Sequence, residues 1–283
     1  MHTALPPWLL WLVAMLLGLS LGSFLNVVIT RLPVMLMRQW RSEAREALSL
    51  EPESPQRFDL MHPGSMCPQC ESPIAWRHKL PLIGWLMLRG RCADCQARIS
   101  PQYPLVELAG GLFTLAVLIL HGVSWEALFL LGACLTLLAL AVIDIRLQLL
   151  PDILTLPLLW AGLLHHWLLA PWALSDAVLG AMLGYLVLWT FHGIFRLVTG
   201  KHGMGHGDFK LMAALGAWLG WSYLPLLLLV AAVCGTLYGL VVQARDPQQR
   251  GQAIPFGPWL AMAGWLMLLA GDPLMAWYLQ WLI

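Results

Sequence analysis

The stretch LLWLVAMLLGLSLGSFLNVVI, residues 9–29, decides the fold class. Residues 3–30 carry no charged side chain. At about 1.5 Å of helical rise per residue, the stretch is long enough to cross the ~30 Å hydrocarbon core of a bilayer. The preceding MHTALPP has no Lys or Arg, and no small-residue cleavage pattern leads into a soluble domain. We therefore read a retained first helix rather than a signal peptide. The whole chain agrees. Of its 283 residues, 59% are hydrophobic and 11% charged, with mean hydropathy +0.72; soluble domains carry about 25% charged residues. That excludes an ordinary soluble enzyme, a disordered chain and a DNA-binding domain. The net charge of +1 implies no nucleic-acid partner. The 16 Trp residues suit interfacial belts, where the indole keeps one end wet.

Outward from this first span the composition inverts, then reverts. Residues 31–103 hold ten of the 16 basic residues: Arg31, Arg38, Arg41, Arg45, Arg57, Arg77, Lys79, Arg89, Arg91 and Arg98. They also hold four of the six Cys, so this segment lies in water with a fold of its own. Apolar segments resume near 105–121, 126–143, 153–170, 174–195, 209–221, 224–243 and 255–270. The 209–221 segment is short and contains glycine, which suits a helix that is broken or embedded in the bundle. The tail at 272–283 is apolar and Trp-rich and suits the interface. The expected fold is an all-α polytopic membrane protein of about eight transmembrane helices, with a zinc-ribbon-like cytoplasmic domain between helices one and two. Its domains are a first helix at 1–30, the water-facing domain at 31–103 and a multi-helix membrane domain at 104–283.

The basic residues set the expected orientation. The other six fall after the third, fifth and seventh segments: Arg146; Arg196, Lys201 and Lys210; Arg245 and Arg250. The turns around Gly122, Pro171, Ser222 and Asp272 have none. By the positive-inside rule the N-terminus faces outward, and the large loop and the other basic loops face the cytoplasm.

Within the loop, Cys67-Pro-Gln-Cys70 and Cys92-Ala-Asp-Cys95 stand 21 residues apart. Two CxxC knuckles supply four thiolates that close tetrahedrally around Zn²⁺. A cytoplasmic setting disfavours disulfides. Four thiolates leave no open position, so the metal would be structural. A redox dithiol pair and simple unligated cysteines are the competing readings. Cys134 and Cys234 lie in apolar segments and read as buried small hydrophobes.

Ionisable groups at membrane depth are costly, so each is a functional candidate. Asp144 ends the third segment in AVIDIRLQLLPD, and Asp208 follows Gly205-His206-Gly207. Two carboxylates sharing a site do not both ionise easily, so such a pair holds one proton. The ionised partner then takes a proton from water, and the neutral one polarises a peptide carbonyl. The alternative is that Asp208 is a helix N-cap and Asp144 a helix-end residue facing headgroups. Asp152 follows Pro151 at a helix start and reads as an N-cap. Asn26, in the first helix, either hydrogen-bonds across the bundle or lines a cavity.

These motifs together resemble the type IV prepilin peptidases, bifunctional leader peptidases and N-methyltransferases of bacterial inner membranes. The resemblance runs through GSFLNVVITRLP at 22–33, both CxxC pairs, RGRCADCQARISPQYPLVELAGG at 89–111, IDIRLQLLPD at 143–152, GMGHGDFKLMAALGAWLG at 203–220 and IPFGPWLAMAG at 254–264. It implies that Asp144 and Asp208 are the catalytic aspartates, with Gly205 and Gly207 supporting the GxGD loop. It also implies Zn²⁺ on Cys67, Cys70, Cys92 and Cys95. The GxGD pattern is shared with intramembrane aspartyl proteases of the presenilin and signal-peptide-peptidase type, which lack such a ribbon. The implied substrates are membrane prepilins or pseudopilins, of type IV pili or type II secretion. Their basic leader would be cut after a glycine at the cytoplasmic face. The implied second step methylates the new N-terminal amine, with S-adenosylmethionine as donor. No GxGxxG fingerprint marks that donor's site. Gly90, beside the second CxxC, is the position nominated for methyl transfer; its plain reading is a turn glycine. The chain departs from the family at His202, where relatives carry an acid, and His206 fills the variable position of GxGD. The rival classes are a membrane transporter with intramembrane carboxylates and a regulatory zinc domain, and a membrane thiol–disulfide exchanger.

Overall fold

A computed structural model describes residues 6–51, 57–200, 204–246 and 254–280. His202, Lys201 and Arg250 lie outside the described residues. Among those described, the regular elements are helices; two isolated antiparallel bridges join Met66 to Pro73 and Arg91 to Arg98. The chain divides into two compact units, Met1–Ile119 and Leu120–Ile283.

In the first unit, α1 is Pro7–Ala47, α2 is Ile83–Met87 and α3 is Gln102–His121. Helix α1 does not stop where the apolar stretch stops at Thr30. Its continuation, RQWRSEAREA, is polar but rich in good helix formers, so the composition changes while the helical preference does not. Helices α1 and α3 meet through glycines. A Cβ on Gly22 would lie 2.7 Å from Glu107 Cα, and one on Gly110 would lie 2.6 Å from the Gly18 carbonyl oxygen. Small residues four apart let membrane helices touch backbone to backbone. Asn26 Nδ2 donates to the Tyr103 carbonyl at 3.0 Å, which makes it a link between these helices.

The second unit holds α4 (Trp125–Leu147), α5 (Asp152–Leu169), α6 (Leu174–Thr199), α7 (His206–Leu219), α8 (Leu224–Arg245) and α9 (Gly257–Gln280). Ser124 caps α4, its hydroxyl accepting from the Ala127 N–H at 3.1 Å. Each of the eight apolar segments expected from the sequence is a described helix. Seven described helices are long and apolar enough to cross a membrane, which makes this a multi-pass membrane protein. The eighth, α7, has 14 residues and a length of about 21 Å, short of the ~30 Å needed. It is apolar nearly all round and, Lys210 apart, buried from Asp208 through Trp218, as a nearly all-apolar helix must be. It lies against α6, with Gly180 on Gly216 and Gly184 on Met212. It ends where α6 begins: Gly220 abuts Asp176, and Trp221 Nε1 donates to Asp176 Oδ1 at 3.2 Å. On its other side, Trp218 seats on Gly162 and donates to the Leu158 carbonyl at 2.9 Å. Helix α9 breaks at Ala270 (φ −143°), before Pro273, where the expected apolar segment ends, and resumes to Gln280; residues 281–283 lie outside the described residues.

Candidate active site and metal centre

Asp144 lies in the last turn of α4, which ends at Gln148 in a left-handed conformation (φ 51°). A short connection, 148–151, leads to α5. Asp208 lies in the first turn of α7, whose N-cap is Gly205. It is therefore not the N-cap. Its carboxylate instead reaches back toward Gly205, at the third helical position that an acid takes in a capping box. The Asp144 carboxylate lies against Gly257 at the start of α9. The two side chains are 5% and 7% exposed, so both are buried. The fold brings their segments together: Leu150 lies against both Gly257, which abuts Asp144 Oδ2, and Gly207, the neighbour of Asp208. Among the described residues, Asp144 Oδ2 and Asp208 Oδ1 find no hydrogen-bond partner. Each carboxylate thus has an oxygen left to engage a reactant.

Glycines make this approach sterically possible. A Cβ on Gly257 would stand 2.6 Å from Asp144 Oδ2. A Cβ on Gly207 would stand 2.8 Å from Leu150 Cβ, so the α4–α5 connection lies directly on the GxGD turn. Gly257 was not singled out from the sequence, because only the tertiary neighbour explains it. Asp152 is likewise corrected. The N-cap of α5 is Pro151, and Asp152 is the first helical residue. Its two oxygens accept from Lys210 Nζ at 2.7 and 2.6 Å. His206 packs beside Phe209 and His192, ring centroids 5.4 and 5.9 Å away.

In the first unit, the four cysteines form two matching turns. The Cys67 N–H donates to the Ser72 carbonyl at 3.0 Å, and the Cys92 N–H to the Ala97 carbonyl at 2.8 Å. The residue after each second cysteine, Glu71 and Gln96, has positive φ (57° and 59°). All four Sγ atoms lie within 4.8 Å of one another. Cys67 and Cys95 are 3.7 Å apart, and Cys70 and Cys92 3.9 Å. Tetrahedral Zn–thiolate bonds of about 2.3 Å place sulfurs roughly 3.8 Å apart, so the cluster fits the ion. The chemistry of the donors fits too. Contacts with the Ser72 side chain, whose hydroxyl oxygen accepts from Cys70 Sγ at 3.4 Å, and with the Ser72 backbone hold the Cys70 thiol down at about 6, while against the lowering Ala97 N–H the neighbouring thiols and burial push that of Cys95 up to about 12. The N–H groups of Cys95 and Asp94 lower that of Cys92. The thiolate is the metal-binding form.

Comparison with known proteins decides the family. Residues 16–121 match the bacterial Peptidase A24 N-terminal domain, and residues 129–240 match the type IV leader peptidase family. A protein of Aeromonas salmonicida named prepilin leader peptidase/N-methyltransferase is 50% identical over 97% of this chain and 95% of its own length. Proteins of the same name from Stutzerimonas stutzeri and Pseudomonas aeruginosa are 51% and 49% identical, each over 95% of this chain and 93% of their own lengths. The chain belongs to the type IV leader peptidase family. No solved structure matches it.

In this leader peptidase, Gly90 sits at a left-handed turn (φ 69°), and its carbonyl accepts from the Ile99 N–H at 2.8 Å. A Cβ there would lie 2.9 Å from the Trp85 ring. A buried acid that the sequence reading passed over, Glu107, accepts from the Leu82 N–H at 2.8 Å. It satisfies a backbone donor at another strained position (φ 59°), tying the loop's α2 to α3. Cys134 is buried in α4, as expected of a small apolar residue; Trp265 Nε1 donates to its carbonyl at 3.1 Å. Nothing in the structure or the comparisons favours a transporter.

Proposed function

We propose that this chain is an intramembrane aspartic endopeptidase that removes the basic leader from type IV prepilins or pseudopilins, cutting after glycine, and then N-methylates the exposed residue. The observation that carries the reading is the pairing of Asp144 and Asp208, both buried and each with a free oxygen, in a chain of this family. One carboxylate is ionised and takes a proton from water. The other is protonated and donates to the scissile carbonyl. Hydroxide adds to the carbonyl carbon, and the tetrahedral adduct collapses as a proton passes to the leaving amine. The burial of both groups keeps bulk water from competing for the shared proton.

The bacterial relatives support an inner-membrane setting, and the distribution of basic residues supports a periplasmic N-terminus with the aspartates near the cytoplasmic face. There a basic leader meets the site without crossing lipid. Cys67, Cys70, Cys92 and Cys95 would hold a structural Zn²⁺, which orders the loop. S-adenosylmethionine, when bound, supplies an electrophilic methyl group to the new amine. Gly90 is the position we assign to that half-reaction, through the shape it gives the loop.

The test is mass spectrometry of a prepilin after incubation with enzyme and S-adenosylmethionine. Wild-type protein should yield a shortened, methylated product. Asp144→Asn and Asp208→Asn, present at wild-type levels, should leave the leader attached. Cleavage by either variant would remove that aspartate from the mechanism.

A further inference from the structure

The two aspartates lean on different elements. Asp144 lies against Gly257 of α9, and Asp208 reaches back toward Gly205 of its own helix. Neither contact sets the distance from one carboxylate to the other. Two contacts do join the segments that carry them. Leu150, in the connection leaving α4, lies on Gly207. Two residues later, Asp152 chelates the Lys210 ammonium through both carboxylate oxygens, at 2.7 and 2.6 Å. Lys210 is two residues beyond Asp208, and Asp152 is joined to the end of α4 by the 148–151 connection. The ion pair thus closes a short circuit: Asp144, connection, Asp152, Lys210, Asp208.

We propose that Lys210 and Asp152 are positioning residues, a charge-paired brace that sets the separation of Asp144 and Asp208 and so the rate of leader cleavage. The proposal rests on the peptidase reading above. The pair does not act through stability. Its side chains are 32% and 56% exposed, and an ion pair open to water contributes only about 0–1 kcal/mol to folding. Its leverage is geometric. A catalytic group misplaced by about 1 Å costs on the order of 100-fold in rate. A pair worth little to the fold can therefore control the reaction.

The experiment uses the full-length protein in detergent, a prepilin substrate, and three forms: Lys210→Met, Asp152→Asn, and the exchange Asp152→Lys with Lys210→Asp. Each single variant should lower kcat for cleavage by about tenfold or more, with KM within about twofold of wild type. Methylation of an already shortened pilin should be unchanged. The exchange should recover most of the lost kcat, because it restores the pair with its poles reversed. Thermal melts should stay within a few degrees of wild type. The proposal is overturned by single variants with normal kcat, or by an exchange no faster than the singles. Methylation that falls in step with cleavage, or a variant that does not fold, would also overturn it, since each makes the pair a general stabiliser. Lys210→Arg keeps the charge and should cleave faster than Lys210→Met; equal rates would count against the brace. Asp144→Asn and Asp208→Asn run alongside. If they cleave, the peptidase reading falls; if they are inactive while the pair variants are normal, only the brace falls.

Discussion

Cys67, Cys70, Cys92 and Cys95 converge at the tips of two short turns, with Cys67 buried and Cys95 exposed. Asp144 and Asp208 converge at the ends of two membrane helices, one of which, α7, is buried along nearly its whole length. Both regions gather acidic ligand atoms that repel one another when ionised. They bear that repulsion by different means. The loop has little core: α2 is five residues long and only its Gly84 is buried. Its thiolates are matched to a cation, and the cation would supply the order. The two aspartates are brought together by another route. Their proximity is imposed by packing, through Gly180 on Gly216, Trp218 on Gly162 and Leu150 on Gly207. The difference separates a site built by its ligand from a site built by its scaffold, and only the second can leave donor and acceptor atoms unsatisfied for a reactant.

The largest effect should come from breaking the scaffold-built pair. Asp144→Asn and Asp208→Asn should each lower cleavage about 10³-fold or more, and the double variant should be no worse than either. Measured rates that multiply would mean two independent contributions rather than one shared proton. Because Asp144 Oδ2 and Asp208 Oδ1 have no described partner, neither change breaks a hydrogen bond at those atoms, and the melting temperature should hold. The ligand-built site should behave in the opposite way. A chelator, or Cys67→Ser with Cys95→Ser, removes an interaction worth on the order of 10 kcal/mol to the loop. Limited proteolysis should then cut within residues 57–100 while 120–280 stays protected. Protection of the loop after the metal is stripped would show that it has a sufficient core of its own.

Packing itself is the next target. A side chain on Gly216 would collide with the Gly180 carbonyl, so Gly216→Leu should destabilise the second unit by several kcal/mol, beyond the ~1–3 kcal/mol usual for overpacking. Gly132 has open space at its Cβ position, and Gly132→Leu should change the melting temperature by no more than a degree or two. Equal effects would mean that α6 and α7 do not depend on that close approach.

The same contrast explains what was legible in the sequence. The CxxC pairs and GxGD are local patterns, and the apolar segments are local in composition, so their existence and order could be read directly. The length of α1 could not, because RQWRSEAREA loses hydrophobicity without losing helical preference. That α7 is short and embedded could be read from its length and glycine, but the face of α6 that it packs on could not. Asp152 and Lys210 are 58 residues apart, and nothing in either neighbourhood announces the other. Glu107 stands among apolar residues with no acidic or basic partner nearby; its partner is the backbone of Leu82. What the sequence hid were contacts between elements, and these are what place the two carboxylates.

The smallest effect separates two glycines of the same conformation. Gly90 has φ 69° and Gly122 has φ 63°, so alanine costs each about 1 kcal/mol for the left-handed backbone alone. They differ in surroundings. A Cβ on Gly90 would meet the Trp85 ring at 2.9 Å, whereas nothing lies within 4 Å of one on Gly122. Trp85 is in turn held by its Nε1–H to the Ile99 carbonyl at 3.4 Å, and the Ile99 N–H donates back to Gly90. Gly90→Ala should therefore push the indole away and loosen that circuit. Amide exchange across 85–99 should accelerate several-fold more than exchange around residue 122 does in Gly122→Ala. If Gly90 shapes the loop for methyl transfer, the methylated fraction of product should fall in Gly90→Ala while leader cleavage stays near wild type. Equal exchange in the two variants would mean that the ring yields freely and that Gly90 is needed only for its dihedral angle. A parallel fall in cleavage would join the two activities through the loop, and the ligand-built region would no longer be separable from the scaffold-built one.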